Sequence, residues 1–322
     1  MRKFILLAAI LPAWVVVPLR PAQQVEIPAW AYPVNPPVTA AAVAGDDGTL
    51  QHVPDSTHAF TRKQLSDIGG HVPDWRPDEH PAMPTIVSDG RPPQVYACAY
   101  CHLPNGAGRP ENTSLAGLTA TYIKQQMGAF KNGDRPGSEL HRVPQTVMIG
   151  LAKAATDAEV DEAAAYFASL KPASFFKVIE TMTVPKTMVA AWTLRLAPGG
   201  GTEALGRRII EMPENFSRFE NRDSRTPYLV YVPIGSVKRG GELVRFGEKA
   251  TQCVTCHGPE LRGLADVPRL AGRSPSYLVR QLDDLKRGTR KGPATEPMRS
   301  VVAKLTDDDV IALAAYLASR TP

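Results

Sequence analysis

All four cysteines of the chain lie in two short motifs in which a histidine directly follows the second cysteine. The motifs read Cys98-Ala-Tyr-Cys101-His102 and Cys253-Val-Thr-Cys256-His257. Cysteines at this spacing are compatible with disulfides, a redox-active dithiol, zinc half-sites or thioether bonds to a haem. Disulfide pairing gives no reason for the histidine after each pair. Zinc requires further ligand pairs at hairpin spacing, and the remaining histidines show no such pattern: they are His52, His58, His71, His80 and His141.

The C-x-x-C-H spacing has a direct physical reason when a c-type haem is attached. Two thiols three residues apart can reach the two vinyl carbons on one edge of the porphyrin. The next residue then lies under the ring centre, where its imidazole binds the iron from the proximal side. Two motifs with no cysteine left over predict two covalently bound haem c groups, with His102 and His257 as proximal ligands.

The chain repeats itself around the two motifs. A shift of 155 residues places the cysteines and histidine of the first motif on those of the second. The same shift aligns Leu115-Ala116-Gly117 with Leu270-Ala271-Gly272, and Tyr122, Gln126 and Gly133 with Tyr277, Gln281 and Gly288. The first copy then has an excess of five residues, after which Met148 aligns with Met298 and Thr156 with Thr306. An internal repeat of this kind predicts two haem domains rather than one domain with two haems.

Each copy has the pattern of a mostly helical domain. Short helices are expected at Thr121–Lys131 and Ser276–Arg287, and amphipathic terminal helices at Asp157–Leu170 and Asp307–Ser319. Thr156 and Thr306 are the expected N-caps of the terminal helices, because a threonine hydroxyl can accept a hydrogen bond from the first turn. The acidic residues that follow each threonine suit the positive end of a helix dipole.

The order of haem motif, L-A-G loop, helix, methionine and terminal helix resembles that of the class I cytochromes c and, in tandem, of the cytochrome c4-like dihaem proteins. The resemblance covers about residues 95–172 and 236–322. It implies a mainly α fold with two tandem cytochrome c domains and a methionine as the distal ligand of each iron. On this sequence the axial pairs are then His102 with Met148, and His257 with Met298.

The two distal methionines are supported by their place in the repeat. Met148 and Met298 each precede a capping threonine by eight residues, in a polar, proline-bearing stretch that we expect to be a loop. Met127, the nearer rival in the first domain, aligns with Leu282 in the middle of an apolar helical face. His141 lies in the five-residue excess and stays open as an alternative ligand of the first haem.

Two departures from the family pattern concern the first domain. In the family, the carbonyl of a proline shortly after the motif accepts the ring N–H of the proximal histidine. Pro268 stands at that place in the second domain, but Thr113 stands there in the first. Residues 240–249 are expected to form the family's first helix, whereas the matching residues 88–94 are poor helix formers. We therefore expect the first domain to be truncated or to be completed by residues 50–90.

The N-terminus has the pattern of an export signal. Met1-Arg2-Lys3 is positively charged, and the apolar run Phe4–Leu19 is 16 residues long, which matches a signal peptide and is short for a spanning helix. An uncleaved N-terminal anchor is the alternative, because no clear cleavage site follows. The expected regions are 1–22, signal peptide or anchor; 23–90, a Pro-rich extended arm packing on the first domain; 91–172, cytochrome c domain 1; 173–235, a connecting segment; and 236–322, cytochrome c domain 2.

The connecting segment contains strand-like runs separated by proline and glycine, which predict a small β-containing subdomain. The runs are Val178–Val184, Trp192–Leu196, Arg208–Met212 and Tyr228–Val232. Charged residues in this segment are candidates for a docking face or for holding haem propionates, with a solvated surface as the alternative. They are Arg207, Arg208, Arg222, Asp223 and Arg225.

The net charge of the chain and the expected iron ligands limit the functions that the protein can have. The net charge of +5 falls to +2 without Arg2, Lys3 and Arg20, which leaves no basic field for nucleic acid. Two six-coordinate haems favour a periplasmic electron carrier, because neither iron is open to a substrate. The expected partners are redox proteins of a respiratory chain: a donor dehydrogenase or quinol-oxidising complex and an acceptor oxidase. The N-terminal segment leaves membrane anchoring open. A haem subunit of a periplasmic dehydrogenase complex is the first alternative, and a dihaem peroxidase is the second.

Overall fold

The computed structural model describes residues 28–36, 47–246 and 253–322. The expected leader over residues 1–22 lies outside the described residues. In the part of the chain that is described, no helix is long and apolar enough to cross a membrane. Helices dominate the two regions that carry the cysteine motifs, and most strands lie between these regions.

The elements before the first motif are short and complete the first domain. They are β1 (Leu50–Gln51), β2 (Phe60–Thr61), α1 (Arg62–Ser66), a 3-10 turn at Pro77–Glu79, α2 (Thr85–Ser88), β3 (Gly90–Arg91) and β4 (Val95–Tyr96). Val72, Ile86 and Val87 are buried in the same apolar core as Ala99 and Phe167 of the first domain. This segment therefore takes the place of the long helix that the sequence lacks here, which was one of the two expected outcomes.

The first motif region consists of α3 (Cys98–His102), α4 (Ala120–Lys131), α5 (Val143–Ala154) and α6 (Asp157–Ser169). The structure confirms the predicted helices at α4 and α6 to within one residue at each end. At the start of α6 the Thr156 hydroxyl accepts a hydrogen bond from the Glu159 N–H, and the Glu159 carboxylate accepts one from the Thr156 N–H. This reciprocal cap fixes where the terminal helix begins.

The connecting segment forms strands with a small core of their own. Its elements are β5 (Phe176–Glu180), β6 (Thr183–Pro185), β7 (Thr187–Ala190), β8 (Thr193–Leu196), β9 (Thr202–Ala204), β10 (Ile210–Pro213), α7 (Phe216–Glu220) and β11 (Tyr228–Val232). The main sheet has the order β10-β11-β5, in which β11 is antiparallel to β10 and parallel to β5. Each predicted strand-like run overlaps a strand, although Val178–Val184 covers the end of β5 and the start of β6 with a turn between them. Val184, Leu194, Leu205, Ile210 and Met212 form a separate buried cluster.

The second motif region repeats the helical order of the first and adds a helix in front. Its helices are α8 (Ser236–Phe246), α9 (Cys253–His257), α10 (Pro275–Arg287), α11 (Glu296–Val302) and α12 (Asp307–Ala318). α12 begins with the same reciprocal cap as α6, here between Thr306 and Asp309. α12 packs closely along α8, because a Cβ on Gly240 would lie 2.1 Å from the carbonyl oxygen of Ala312. The predicted helix at 240–249 begins earlier, at Ser236.

A buried carboxylate links three parts of the chain. Asp284 on α10 accepts hydrogen bonds from the Ser138 N–H (2.9 Å) and hydroxyl (2.7 Å) of the first domain. It also accepts one from the hydroxyl of Tyr32 (2.9 Å), a residue of the described stretch 28–36. Ala31 and Tyr32 are buried in the core of the second domain. This part of the N-terminal arm therefore packs on the second domain, whereas the sequence suggested the first.

We predict that Asp284→Ala lowers the free energy of unfolding by about 3 kcal/mol, because hydrogen bonds to charged groups contribute ~1.5–3 kcal/mol each. The measurement is denaturant unfolding of the haem-loaded protein. Asp161→Ala is the control, since Asp161 pairs with Lys124 on the exposed surface and such pairs contribute about 0–1 kcal/mol. Equal effects of the two substitutions would show that Asp284 does not link the domains.

Candidate haem sites

A large cavity opens beside the first cysteine motif. Its volume, including the part open to solvent, is about 1290 Å³. Cys98, Cys101 and His102 lie on one wall, and Met148 also lines the cavity. The other walls are mostly apolar and come from both domains; they include Ile86, Val95, Leu115, Leu118, Ile123, Leu151, Val160, Phe167 and Tyr277. An apolar space of this kind, closed on one side by a cysteine pair, suits a flat, hydrophobic group bonded at its edge.

The pKa values of three of the cysteine thiols do not match those of a redox-active dithiol. Burial raises the pKa of the Cys98 thiol to about 12, and it also raises the pKa values of Cys101 and Cys253. A reactive dithiol instead requires a lowered pKa, because the thiolate is the nucleophile. Neither cysteine pair is joined by a disulfide in the structure.

Both motif histidines are held by a backbone carbonyl. The Nδ1 atom of His102 lies 2.8 Å from the Thr113 oxygen, and the Nδ1 atom of His257 lies 2.7 Å from the Pro268 oxygen. Burial lowers the pKa of both imidazoles, and a neutral imidazole is the form that binds a metal. With Nδ1–H donating to the carbonyl, the Nε2 lone pair of each ring is available as a ligand.

His257 supplies a direct test of fit. Its Nε2 atom is buried and has no hydrogen-bond partner among the described residues. Unpartnered buried polar atoms are rare and call for an explanation. A haem iron at this nitrogen accounts for it, so the residues present fit a c-type haem.

The two predicted distal methionines lie on helices and not in loops. Met148 is on α5, and Met298 is on α11, where it packs against the core of the second domain. The expected loop is therefore wrong, and the reason lies in the prolines. Pro144 and Pro297 occupy the first turn of each helix, where the missing N–H has no cost.

Two alternatives to Met148 receive different support from the geometry. Met127 also lines the first cavity, so position alone does not separate it from Met148. The His141 side chain is 85% exposed and pairs with Glu139. It is absent from the residues that line the described cavity, and this placement disfavours it as a ligand. The side chain of His80 is 4% exposed and pairs with Asp74.

Four buried arginines line the first cavity without a carboxylate partner among the described residues. They are Arg135, Arg142, Arg273 and Arg280, and their hydrogen bonds go to backbone, hydroxyl and amide oxygens. Buried charges need a partner of opposite sign. The carboxylates of a haem would supply it, which is a second sign that the cavity fits the group.

Two arginines that connect the domains occupy equivalent positions in the internal repeat. Arg135 donates to Gln126 and Gln281, and Arg290 donates to the same two amide oxygens from the other domain. Arg135 and Arg290 are themselves 155 residues apart, so the repeat alignment contained the signal that would have identified them. The guanidiniums also act on Tyr277: burial alone raises its pKa, but Arg273, Arg135 and Arg290 lower it to about 7.

The charged residues predicted in the connecting segment have partners within the protein. Arg222 donates to the carbonyl oxygens of Leu65 and Tyr100, and Asp223 pairs with Arg76 and Arg218. The remaining ion pairs are Arg207 with Asp308, Arg208 with Glu203, and Arg225 with Glu79. None of the five lines the cavity at the first motif, so the structure gives no support for propionate binding there.

Two tandem domains, each with a C-x-x-C-H helix, a carbonyl-held histidine and a terminal helix, define a dihaem class I cytochrome c. The family model described as cytochrome c matches residues 92–171 and 246–321. Cytochrome c-554(548) of Halomonas halodenitrificans is 35% identical over 81 residues, which are 25% of this chain and 98% of that protein. The chain belongs to the cytochrome c family.

Longer relatives place both domains in one protein. Cytochrome c4 of Azotobacter vinelandii is 27% identical over 243 residues, which cover 74% of this chain and 90% of that protein. The thiosulfate dehydrogenase electron acceptor of Thiomonas intermedia is 27% identical over 232 residues, covering 71% of this chain and 81% of that protein. The chain is thus a cytochrome c4-like dihaem electron-transfer protein with two covalently bound haem c groups.

One solved structure adds to this comparison. Thiosulfate dehydrogenase (TsdBA) from Marichromatium purpuratum is similar with a TM-score of 0.51 and 26% sequence identity. The match covers 73% of this chain and 39% of that one. The similarity therefore concerns a part of the larger protein.

We predict that the mature protein is heavier than its polypeptide by two haem groups, because both cysteine pairs form thioether bonds. The measurement is mass spectrometry under denaturing conditions, on protein made in a host that matures c-type cytochromes. The double variant Cys98→Ser/Cys101→Ser should retain one haem, and so should Cys253→Ser/Cys256→Ser. An unmodified wild-type mass would contradict covalent attachment.

Proposed function

We propose that the chain is an exported carrier of single electrons whose irons are bound by His102 with Met148 and by His257 with Met298. The observation that carries the proposal is that His102 and Met148 line the same cavity beside the first cysteine pair. The internal repeat has the equivalent residues in the second domain. Two filled axial positions leave no iron open to a substrate, which suits transfer of electrons and not chemistry on a bound molecule.

The haem supplies the one-electron chemistry, and the residues of the chain set its conditions. Thr113 and Pro268 orient the two imidazoles. A thioether ligand raises the reduction potential. Apolar walls surround most of the cavity, and its arginines would offer positive charge to the haem carboxylates. Fixed groups of this kind allow the iron to change charge with little rearrangement of the protein.

The arrangement of the domains favours transfer between the two haems. Residues of the second domain, among them Arg273, Tyr277 and Gln281, line the cavity of the first site. Arg135 and Arg290 each bridge the two domains through the same pair of glutamines. These contacts hold the two domains together beside the first site, and we expect the two haems to act as one carrier.

The leader and the relatives point to the setting of this carrier. A positive start followed by a short apolar run supports export to the periplasm. A similar protein is named as the electron acceptor of a thiosulfate dehydrogenase, which supports a periplasmic dehydrogenase as donor. A respiratory oxidase is the proposed acceptor, and the N-terminal segment is the proposed attachment to the membrane where it is not cleaved. A permanently bound haem subunit of a dehydrogenase is the second candidate.

We expect Met148→Ala and Met298→Ala each to remove one methionine ligand. In each variant one ferric haem should lose the near-infrared band of methionine ligation, and its reduction potential should fall, because a thioether ligand stabilises ferrous iron. The measurement is an optical redox titration. Met127→Leu is the matched control, and it should leave both bands in place. If Met127→Leu loses a band and Met148→Ala keeps both bands, Met127 and not Met148 is the ligand.

A mobile carrier binds its donor protein transiently, whereas a fixed subunit stays bound to it. For a carrier, the reduction rate should rise in proportion to the donor concentration, and each molecule should accept two electrons. The measurement is stopped-flow mixing of the oxidised protein with a reduced periplasmic dehydrogenase, together with gel filtration of the mixture. Stable co-elution with the dehydrogenase at low concentration would favour the subunit role instead.

A further inference from the structure

The loops that hold the two proximal histidines have nearly the same geometry. After the first motif, the Gly108 N–H donates to the His102 oxygen over 3.0 Å; after the second, the Gly263 N–H donates to the His257 oxygen over 2.9 Å. The distances from Nδ1 to the accepting carbonyl are 2.8 and 2.7 Å. The two loops therefore place the acceptor equally well, although one acceptor is Thr113 and the other is Pro268.

The two acceptors differ in what keeps them in place. A proline ring fixes φ, so Pro268 carries its own restraint. A threonine has more backbone freedom, and losing that freedom opposes folding. The structure must hold Thr113 by contacts from elsewhere if its carbonyl is to stay in position.

Arg273 of the second domain makes such contacts at Thr113, and Arg269 of the same domain donates further along the loop, to the Ser114 hydroxyl and the Ala116 carbonyl oxygen. The Nη2 group of Arg273 donates to the Thr113 hydroxyl and, over 3.1 Å, to the Ser114 carbonyl oxygen. Its Nη1 group donates to the Arg269 carbonyl oxygen over 3.3 Å, which ties the guanidinium to its own domain. The side chain is buried, with 3% of the residue exposed. The guanidinium of Arg273 thus contacts Thr113, whose carbonyl accepts the hydrogen bond from His102, and also the next residue, Ser114.

Among the described residues, the first domain makes no equivalent contact with the residue Pro268 of the second domain. The repeat aligns Arg273 with Leu118, which has no polar group to donate to Pro268. In the part of the chain that the structure describes, the first domain donates to the proline-bearing loop at the Asp266 side chain, through the Thr119 hydroxyl, and not at the accepting residue. The loop without that proline receives its cross-domain donor at the accepting residue itself. This pairing of a missing restraint with a cross-domain donor is the basis of the inference.

We infer that Arg273 is a positioning residue for the first haem: it holds the Thr113 carbonyl as the acceptor of the His102 Nδ1–H. The inference rests on the proposed ligation of the first iron by His102. The hydrogen bond to Nδ1 sets the orientation and basicity of a ligating imidazole. The second domain thereby controls the axial ligand of the first.

Arg273 has a second way to act on the first haem. It lines the same cavity, and its Nε atom is buried without a hydrogen-bond partner among the described residues. A direct contact with a haem carboxylate would change the reduction potential through charge alone. The test must therefore separate an effect through Thr113 from an effect of the charge.

The experiment compares four proteins in the haem-loaded state: wild type, Arg273→Leu, Thr113→Pro, and the double variant. The readouts are the width of the low-spin ferric signal of the first haem in electron paramagnetic resonance and its reduction potential. Arg273→Leu should broaden the signal, because the imidazole orientation becomes heterogeneous. The loss of its positive charge beside the haem should separately lower the potential. Thr113→Pro should keep the signal sharp, and in the double variant the proline should restore the sharp signal. The second haem is the internal standard.

Arg280→Leu is the matched control for charge. Arg280 is also a buried arginine of the second domain that lines the cavity, but it donates to Pro110 and Ala31 and not to Thr113. Its removal should shift the potential without broadening the signal. Thr113→Val removes the hydroxyl contact alone and should broaden the signal to a smaller extent than Arg273→Leu.

Three outcomes would count against the inference or its premise. Equal broadening by Arg273→Leu alone and by Arg273→Leu combined with Thr113→Pro would overturn the clamp. A lowered potential with no broadening would reduce Arg273 to a charge beside the haem and would also overturn it. Persistence of the first low-spin signal in His102→Gly would instead show that the proposed ligand assignment is wrong, which separates failure of the premise from failure of the clamp.

Discussion

The hydrogen bond from each motif histidine to a backbone carbonyl eleven residues later is the interaction on which both sites depend. It uses the Nδ1 proton, so the Nε2 lone pair is left for iron, and burial keeps the ring neutral. To bring a carbonyl to that place, the chain must turn sharply after the motif. Gly108 makes this turn at φ 69°, and a Cβ there would lie 2.5 Å from the Thr113 carbonyl. The need to orient the imidazole ring thus determines the tight loop. The loop in turn determines where the next helix begins.

Charge explains why the two domains are not independent. Arginine is costly to bury without a partner, yet the cavity wall carries four guanidiniums whose hydrogen bonds, among the described residues, go to uncharged oxygens. Glu111 acts on Arg142, and Glu211 and Asp284 act on Arg280, without forming an ion pair, so the carboxylates of a bound haem would supply the direct partners that the four arginines lack. Two of these arginines, Arg273 and Arg280, belong to the second domain, so a haem in the first site would be enclosed by charges from both domains. We therefore expect cofactor binding and domain docking to be coupled.

Local signals in the sequence predicted the fold well, but the sequence did not predict the long-range contacts. The terminal helices could be located from Thr156 and Thr306, because a capping residue acts within one turn. The cysteine motifs predicted the cofactor, because thioether attachment needs only neighbouring residues. Proline misled the prediction around Met148 and Met298, since a proline in a first helical turn has the same sequence signal as a proline in a loop. The packing of Tyr32 against Asp284 spans the length of the chain, and no local pattern announces it.

The difference between Thr113 and Pro268 shows how a tandem repeat can diverge without losing its sites. A domain that works alone must contain its own restraints, and proline is the simplest restraint on a backbone carbonyl. Once a second domain is packed beside the first, a side chain such as Arg273 can provide the restraint from outside. The external restraint makes the first haem sensitive to the docking of the second domain, which an internal proline cannot do. Two irons that began as equal copies can in this way acquire different environments, and a difference in environment is what gives electron flow through a dihaem carrier its direction.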